Sequence, residues 1–349
     1  MDSLWDYPDF DAHELVHFVT DHESGLRAII AVHSRHLGPA AGGTRFWHYA
    51  QSGEAVADAL RLSRGMSFKN AMAGLPLGGG KAVILADAGR TKTEAMLAAY
   101  GKAIEGLCGA YVTAEDVGIS VGDLVEVAKQ TRYISGLPVA SGRAGGDPGP
   151  YTSYGVFLGV KAAVRRKLGR DNLSGLHLAI QGAGSVASGL ARQAAAEGAR
   201  LTIADVDQAK AEALAAETGG TTIAPDAIMT VAADVLSPCA LGAILTPESI
   251  AALNVPIVAG GANNQLATQA EGDLLRDRDI LYAPDYVINA GGIINVGMEY
   301  LGEGDEAQVR ARIEQIPGRL ETIWDESEAS GRNAADVADD MARKLIGRG

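Results

Sequence analysis

Cysteine is nearly missing: Cys108 and Cys239 are the only two in 349 residues, and they form no C-x-x-C pair. No disulfide framework can be built from them, and a reducing compartment is expected. Aromatic residues are scarce at 5%, whereas glycine numbers 44. That mix suits an Ala/Val/Ile/Gly-rich α/β protein better than an aromatic-rich β-sandwich. Basic residues are outnumbered, 30 Lys and Arg against 43 Asp and Glu, for a net charge of −13. An acidic chain offers little to a phosphate backbone, so nucleic-acid binding is disfavoured and the charge serves solubility. No apolar run reaches the ~18 residues of a membrane-spanning helix. The start, Met1-Asp2-Ser3-Leu4-Trp5-Asp6, lacks the basic and apolar regions of a secretory signal. A cytoplasmic chain with no membrane or nucleic-acid partner is the expectation.

What is present is a length of 349 residues with 47% hydrophobic content, enough for two domains of ordinary size, each with its own core. Leu15–Thr20 and Leu26–His33 flank the turn-like Asp21-His22-Glu23-Ser24-Gly25 and predict a β-hairpin. Glu54–Met66 carries Val56, Ala57, Leu60 and Leu62 at helical spacing. A glycine-rich stretch, Gly74–Gly80, precedes a short buried strand, Lys81–Leu85; Thr93–Leu107 reads as a helix and Tyr111–Thr113 as a strand. The turn-rich Ser141–Pro150 is the best boundary candidate. Beyond a helix at Thr152–Lys167, the strand-like runs Leu176–Gln181, Leu201–Asp205, Val235–Ser237 and Ile257–Gly260 alternate with helical runs. That alternation predicts a doubly wound parallel sheet. The last helical stretch, Ala334–Ile346, is expected to pack back on the first domain.

The sharpest local motif runs from the apolar strand Leu176–Gln181 into Gly182-Ala183-Gly184-Ser185-Val186-Ala187 and then into a helix, Ser188–Glu197. In G-x-G-x-x-A, Gly182 permits the tight turn and Gly184 lets the backbone approach a pyrophosphate. The pyrophosphate sits on the N-terminus of the helix that follows, with Ser185 and Val186 as further cofactor-binding residues, and Ala187 keeps helix and strand close. Asp205 ends the next strand about 20 residues on, where a carboxylate accepts from a ribose 2′-hydroxyl and repels a 2′-phosphate. The cofactor predicted is therefore NAD. A glycine turn in an α/β domain without cofactor is the bland alternative.

Lys69 lies in Gly65-Met66-Ser67-Phe68-Lys69-Asn70-Ala71, and Lys81 follows Gly74-Leu75-Pro76-Leu77-Gly78-Gly79-Gly80. A phosphate loop needs Gly at position 75 and Ser or Thr after the lysine; Leu75 and Ala82 stand there. Successive glycines instead allow a close approach to the backbone. A lysine desolvated at the start of a buried strand has a lowered pKa and can act as a base. Taken alone, a surface lysine after a flexible turn fits as well. Glu115 and Asp116 put two carboxylates at a strand end, where a helix-capping acid is the ordinary alternative.

Gly38-Pro39-Ala40-Ala41-Gly42-Gly43-Thr44-Arg45, the Lys69 and Lys81 segments, Thr113-Ala114-Glu115-Asp116-Val117-Gly118, Gly261-Ala262-Asn263-Asn264-Gln265-Leu266 and Ala283-Pro284-Asp285-Tyr286-Val287-Ile288-Asn289-Ala290-Gly291-Gly292 together resemble the glutamate/leucine/phenylalanine/valine dehydrogenase family. The leucine dehydrogenase branch is nearest, and the likeness runs in order over nearly the whole chain. It implies reversible NAD-dependent oxidative deamination of an apolar L-amino acid to its 2-oxo acid and ammonia. It implies a substrate and oligomerisation domain, 1–138 with 330–349, and a Rossmann-type NAD domain, 139–329, in a homo-oligomer. Lys69 is then the anchor for the substrate α-carboxylate, Lys81 the base that activates water, and Asp116 the proton carrier at the amino group. Gly42 and Gly43 offer backbone contacts to substrate. Asn263 stands near the nicotinamide ribose, Thr152 near the carboxamide, and the turn Cys239-Ala240-Leu241-Gly242-Ala243 lines the cofactor cleft, which closes between two domains.

The same likeness places Ala41, Ala114, Ile293 and Val296 around the substrate side chain. A glutamate enzyme carries lysine and serine where this chain has Ala41 and Val296, and the leucine enzyme carries leucine at the position of Ala41. Two other readings compete. One is a glutamate dehydrogenase; the other is a dinucleotide-binding regulator without catalysis, which has no need of Lys69, Lys81 and Asp116 together. His13-Glu14-Leu15-Val16-His17 matches the zinc-protease pattern H-E-x-x-H. Read as a strand, it holds its histidines roughly 13 Å apart, too far for one zinc, so no metal is expected.

Overall fold

The computed structural model describes residues 3–89, 91–138, 143–240, 242–302 and 304–349. Position 139, where the second domain was expected to start, and Leu241 of the expected cofactor turn lie outside the described residues. The chain forms two compact units: Met1–Asp147 with Ile293–Val309 and Ala342–Gly349, and Pro148–Gly292 with Arg310–Met341.

The first unit is a sheet with helices on both faces. In chain order its elements are β1 (Leu15–Asp21), β2 (Leu26–Ser34), β3 (Ala40–Trp47), α1 (Ser52–Met72), β4 (Gly78–Leu85), α2 (Glu94–Gly106), β5 (Tyr111–Glu115) and α3 (Val121–Ala128). The strand order is β1-β2-β4-β3-β5. The expected hairpin β1/β2 is antiparallel, as is β2/β4, while β3 runs parallel to β4 and β5. Ala55, Val56, Ala59 and Leu60 of α1 pack on Ile29, Ala31 and Val83 on one face. Met96, Leu97, Tyr100 and Ile104 of α2 pack on Ala28, Ile30, Ala82 and Ile84 on the other. Burial on both sides explains why β2 and β4 read as apolar runs rather than alternating ones.

The glycines before Lys81 belong to β4 and do not form a loop. What approaches them is the protein itself: a Cβ on Gly79 would fall 2.0 Å from the Ser67 backbone nitrogen, and one on Gly80 would fall 2.6 Å from the Tyr111 ring. Glycine thus lets α1 lie directly on the middle of the sheet.

The second unit contains α4 (Gly149–Leu168), β6 (His177–Gln181), α5 (Ser185–Ala196), β7 (Arg200–Ala204), α6 (Gln208–Thr218), β8 (Thr221–Thr222), β9 (Val235–Pro238), α7 (Pro247–Ala252), β10 (Ile257–Val258), α8 (Glu271–Asp277), β11 (Leu281–Tyr282) and α9 (Asp285–Ile288). Its strands are parallel in the order β11-β10-β9-β6-β7-β8. Succession reverses between β6 and β9, the switch point at which such sheets hold ligands. The chain continues through α10 (Gly291–Tyr300), α11 (Glu306–Ile313), α12 (Ile316–Ser330) and α13 (Ala334–Leu345).

The return to the first unit differs from the expected span of 330–349. Residues 293–309 and 342–349 cluster with the first unit, and 310–341, including most of α13, with the second. The reason is what α12 and α13 bury. Trp324 donates its indole N–H to the Tyr282 carbonyl at 2.9 Å, Arg166 pairs with Glu321, Asp325 and Glu328, and Tyr286 donates to Asp339. Among the described residues no helix is long and apolar enough to cross a membrane.

Candidate active site and dinucleotide cradle

Side chains alternate along a strand, and opposed residues of neighbouring strands share a face. The β3–β5 register sets Ala41 opposite Val112 and Gly43 opposite Ala114. The β3–β4 register sets Ala41 opposite Gly79 and Arg45 opposite Val83. Ala41, Gly43, Arg45, Lys81 and Ala114 therefore share the face that carries α1. Asp116 follows the end of β5 and meets this group. Its Oδ2 lies 2.5 Å from Lys81 Nζ and 3.4 Å from Arg45 Nε. Asp116 does not cap α3, whose N-cap is Ser120.

Burial pulls the Lys81 ammonium below the ordinary lysine value, with Asp116 opposing that shift. Burial would raise the Asp116 carboxyl, but Lys81 and then Arg45 hold it below the usual carboxylate range. Such a pair can release a proton from nitrogen while keeping its carboxylate ionised. Glu115 is raised instead, by burial and then by Asp147 and Asp116.

Lys69 lies in the last turn of α1, where a cation is favoured. Next to it, the Asn70 side-chain amide donates to the Gly78 carbonyl at 2.6 Å and reaches the Ala41 carbonyl at 3.4 Å. The β3–β4 pairing is interrupted between Ala41/Gly79 and Thr44/Ala82. At that interruption the buried Tyr111 hydroxyl donates to the Gly42 carbonyl at 2.6 Å. Ile293 and Val296 lie on α10, Val296 buried, with Gly297 packed against Leu75 and Leu77.

In the second unit the cofactor candidates other than Thr152 follow the carboxyl ends of β6, β7, β9 and β10. Gly182 adopts φ +109°, and a Cβ there would meet Ala240 and Cys239 at 3.1 Å. A Cβ on Gly184 would meet nothing within 4 Å, so the loop backbone is open where α5 begins at the exposed Ser185. Val186 touches Gly261, and the Gly261 N–H points at Cys239 Sγ at 3.4 Å. Gly242 sits against the Asn263 and Asn264 backbone, and the Asn263 side chain accepts from Asn289 at 2.8 Å. Asp205 follows β7 and accepts from Ala183 N–H at 2.7 Å and Asp207 N–H at 2.8 Å. It therefore braces the glycine loop. Thr152 is in the first turn of α4, its hydroxyl donating to the Pro148 carbonyl at 2.9 Å. Burial pushes the Cys239 thiol up to about 11, away from nucleophilic use.

The H-E-x-x-H segment enters β1 only at Leu15: His17 is on the strand, as expected, whereas His13 and Glu14 precede it, so the expected strand covers only the second part of the motif. His13 bonds through Nε2 to the Leu60 carbonyl and Ser63 hydroxyl. Arg45, Asp58 and Tyr111 were not singled out from the sequence. Their roles rest on contacts across elements, and the only local signal was Arg45 at the end of the Gly-Gly-Thr-Arg run.

A family model described as "Glu/Leu/Phe/Val dehydrogenase, dimerisation domain" matches residues 13–133, and one described as "Glutamate/Leucine/Phenylalanine/Valine dehydrogenase" matches 202–344. The leucine dehydrogenase of Thermoactinomyces intermedius is 45% identical over 343 residues, covering 98% of this chain and 93% of that protein. The valine dehydrogenase of Streptomyces albus is 43% identical over 344 residues, with 97% and 94% covered. The crystal structure of L-tryptophan dehydrogenase from Nostoc punctiforme superposes with a TM-score of 0.84 at 40% identity, covering 96% of each chain. A glutamate dehydrogenase from Thermus thermophilus, at 22% identity and TM-score 0.75 over 96% of this chain and 88% of that one, shares the fold.

Proposed function

The chain belongs to the Glu/Leu/Phe/Val dehydrogenase family, and from that premise we propose that it catalyses reversible NAD-linked oxidative deamination of an apolar L-amino acid to its 2-oxo acid and ammonia. The observation that carries the chemistry is the Lys81–Asp116 contact of 2.5 Å, on the sheet face that Gly43 and Ala114 share. The likeness to enzymes named for leucine, valine and tryptophan supports an apolar side chain. Turnover of an amino-acid panel with NAD by the purified protein tests the reading. A regulator without catalysis shows none.

Gly182, Gly184, Ser185, Val186 and Asp205 fit a dinucleotide, because the loop backbone at Gly184 is open and a carboxylate closes the next strand. Cys239, Ala240, Asn263 and Thr152 complete its site. When bound, NAD supplies the two-electron acceptor. Lys69 anchors the substrate carboxylate by a charge-assisted contact that orients Cα, and the Gly42 and Gly43 backbone supports it. Lys81 Nζ, when neutral, takes a proton from the water that attacks the oxidised Cα. Asp116 Oδ2, in contact with that nitrogen, carries the proton to the departing amino group.

Two expected results follow here. Asp205→Ala lowers kcat/KM with NAD by roughly tenfold or more, the worth of one charge-assisted hydrogen bond, and brings NADP closer to NAD. A parent that prefers NADP would sink this assignment. Tyr111→Phe removes the bond to the Gly42 carbonyl and raises the amino-acid KM by roughly fivefold, since a net hydrogen bond is worth about 1 kcal/mol, with a smaller change in kcat. An unchanged KM in a folded variant counts against that role. Residues 13–133, matched by the dimerisation-domain model, are read as the association surface of a homo-oligomer, which sedimentation of the purified protein checks.

A further inference from the structure

We propose that Arg45 is a positioning residue for the Lys81–Asp116 pair, and that Asp58 sets how much of the Arg45 charge the pair feels. The proposal rests on the reading of Lys81 as the base. Arg45 projects from β3 between two carboxylates. Its Nη1 donates to Asp58 Oδ2 on α1 at 2.7 Å, and its Nε faces Asp116 Oδ2 at 3.4 Å. Asp58 is saturated by donors: the Tyr49 hydroxyl also reaches Oδ2 at 2.7 Å, and Arg61 Nη2 reaches Oδ1 at 2.7 Å. The guanidinium is thus clamped at one end by Asp58. The other end presents a buried N–H, in no hydrogen bond, to the same buried Asp116 oxygen that Lys81 Nζ contacts. The link between Arg45 and Asp116 is charge facing charge.

The consequence concerns the state in which Lys81 must act. To take a proton, Lys81 has to be neutral, and Asp116 then loses its nearest counter-ion. An ionised carboxylate in a buried site without a partner is costly. Arg45 supplies the second partner, so Lys81 can give up its proton without stranding Asp116. Asp58 works in the opposite sense by holding part of the Arg45 charge away from the pair.

The signs separate the two residues. Without the Arg45 cation, Lys81 holds its proton more tightly, and the acid limb of kcat/KM for deamination moves to higher pH. Arg45→Met should move it up by about one unit, the scale of one nearby charge. Arg45→Lys restores much of the parent behaviour. Asp58→Asn keeps the size of the clamp but removes its charge, and moves the limb to lower pH. The other titratable groups on these elements, Glu54, Arg61, Arg64 and Lys69 of α1 and Tyr111 and Glu115 of β5, and Tyr49 on Asp58, are common to all the proteins, so differences belong to Arg45 and Asp58. A merely structural role would lower kcat or stability without opposed pH shifts.

The experiment measures two things on the full chain. One is the pH profile of kcat/KM for the amino acid with NAD. The other, free of turnover, is the pH dependence of Lys81 acetylation by acetic anhydride, read by peptide mass spectrometry. Opposed shifts of the Lys81 labelling midpoint in Arg45→Met and Asp58→Asn support the proposal. If labelling shifts but activity does not follow, the placement of Arg45 stands and the assignment of Lys81 as base fails. A Lys81 midpoint common to parent and variants, or shifts of one sign, overturns the proposal. If Arg45→Met does not fold, Arg45→Lys and Asp58→Asn decide, and an unmoved or raised midpoint in Asp58→Asn overturns it.

Discussion

Replacing Lys81 by alanine lowers kcat by about 10²- to 10⁴-fold, the range that general-base catalysis supplies. Lys81 is buried on β4, with its ammonium 2.5 Å from Asp116. Its removal takes away the nitrogen that we propose accepts the proton of water, while Asp116 retains Arg45 as a neighbour at 3.4 Å. The sheet does not depend on the side chain, because Ala82, Val83 and Ile84 carry the packing of β4. The loss should therefore appear in turnover rather than in folding. Circular dichroism and thermal melting establish that the variant is native, and steady-state rates with NAD give the effect. Burial lowers the Lys81 pKa, so parent deamination holds its rate nearer to neutral pH than an ordinary lysine base would allow. Lys69→Ala contrasts with this. An anchor for the substrate carboxylate shows itself mainly in KM, with a smaller loss in kcat from misorientation. Near-parent turnover in Lys81→Ala would refute the assignment.

How much of this was legible in the sequence depended on whether the signal was local. The β1/β2 hairpin and the β6–α5–β7 unit have their turn residues and apolar runs in one stretch, and both appear where periodicity places them. β3 did not announce itself, because Ala40-Ala41-Gly42-Gly43 has no β-branched residue. It is a strand through its neighbours, buried between β4 and β5. Gly78, Gly79 and Gly80 look like a loop in one dimension. In three they are the flat part of a strand, needed because Ser67 and Tyr111 press on it. The path of 293–349 between the two units was not readable, since α12 and α13 carry apolar faces whose partners are fixed only by the fold. Lys81 and Asp116 lie far apart in sequence, and a likeness to known enzymes named them together. Asp58, Arg45 and Tyr111 carried no such label, although they hold the same site.

Glutamate and aspartate should be turned over roughly a thousandfold less efficiently than leucine or valine, because an unpaired carboxylate in an apolar pocket costs several kcal/mol. Ala41 and Ala114 lie on one face of the sheet by the β3–β5 register, Ala41 buried. We place Ile293 and the buried Val296 of α10 as the other wall. None of the four side chains can pair with a distal carboxylate. The Glu115 carboxyl beside Ala114 is raised by burial and then by Asp147 and Asp116, so this end of β5 already resists more negative charge. Ala41 and Ala114 are the small members of the set, and a leucine at position 41 would put an isobutyl group where a methyl stands. Ala41→Leu should therefore cost Phe about tenfold or more while Val changes little, since contacts of this size are worth ~1–3 kcal/mol each. Specificity is then broad among apolar side chains in the parent and narrows in the variant. Measuring kcat/KM across Leu, Val, Met, Phe and Glu for both proteins tests the pocket. Equal losses for Phe and Val would remove Ala41 from the side-chain wall, and efficient turnover of Glu by the parent would remove the apolar pocket altogether.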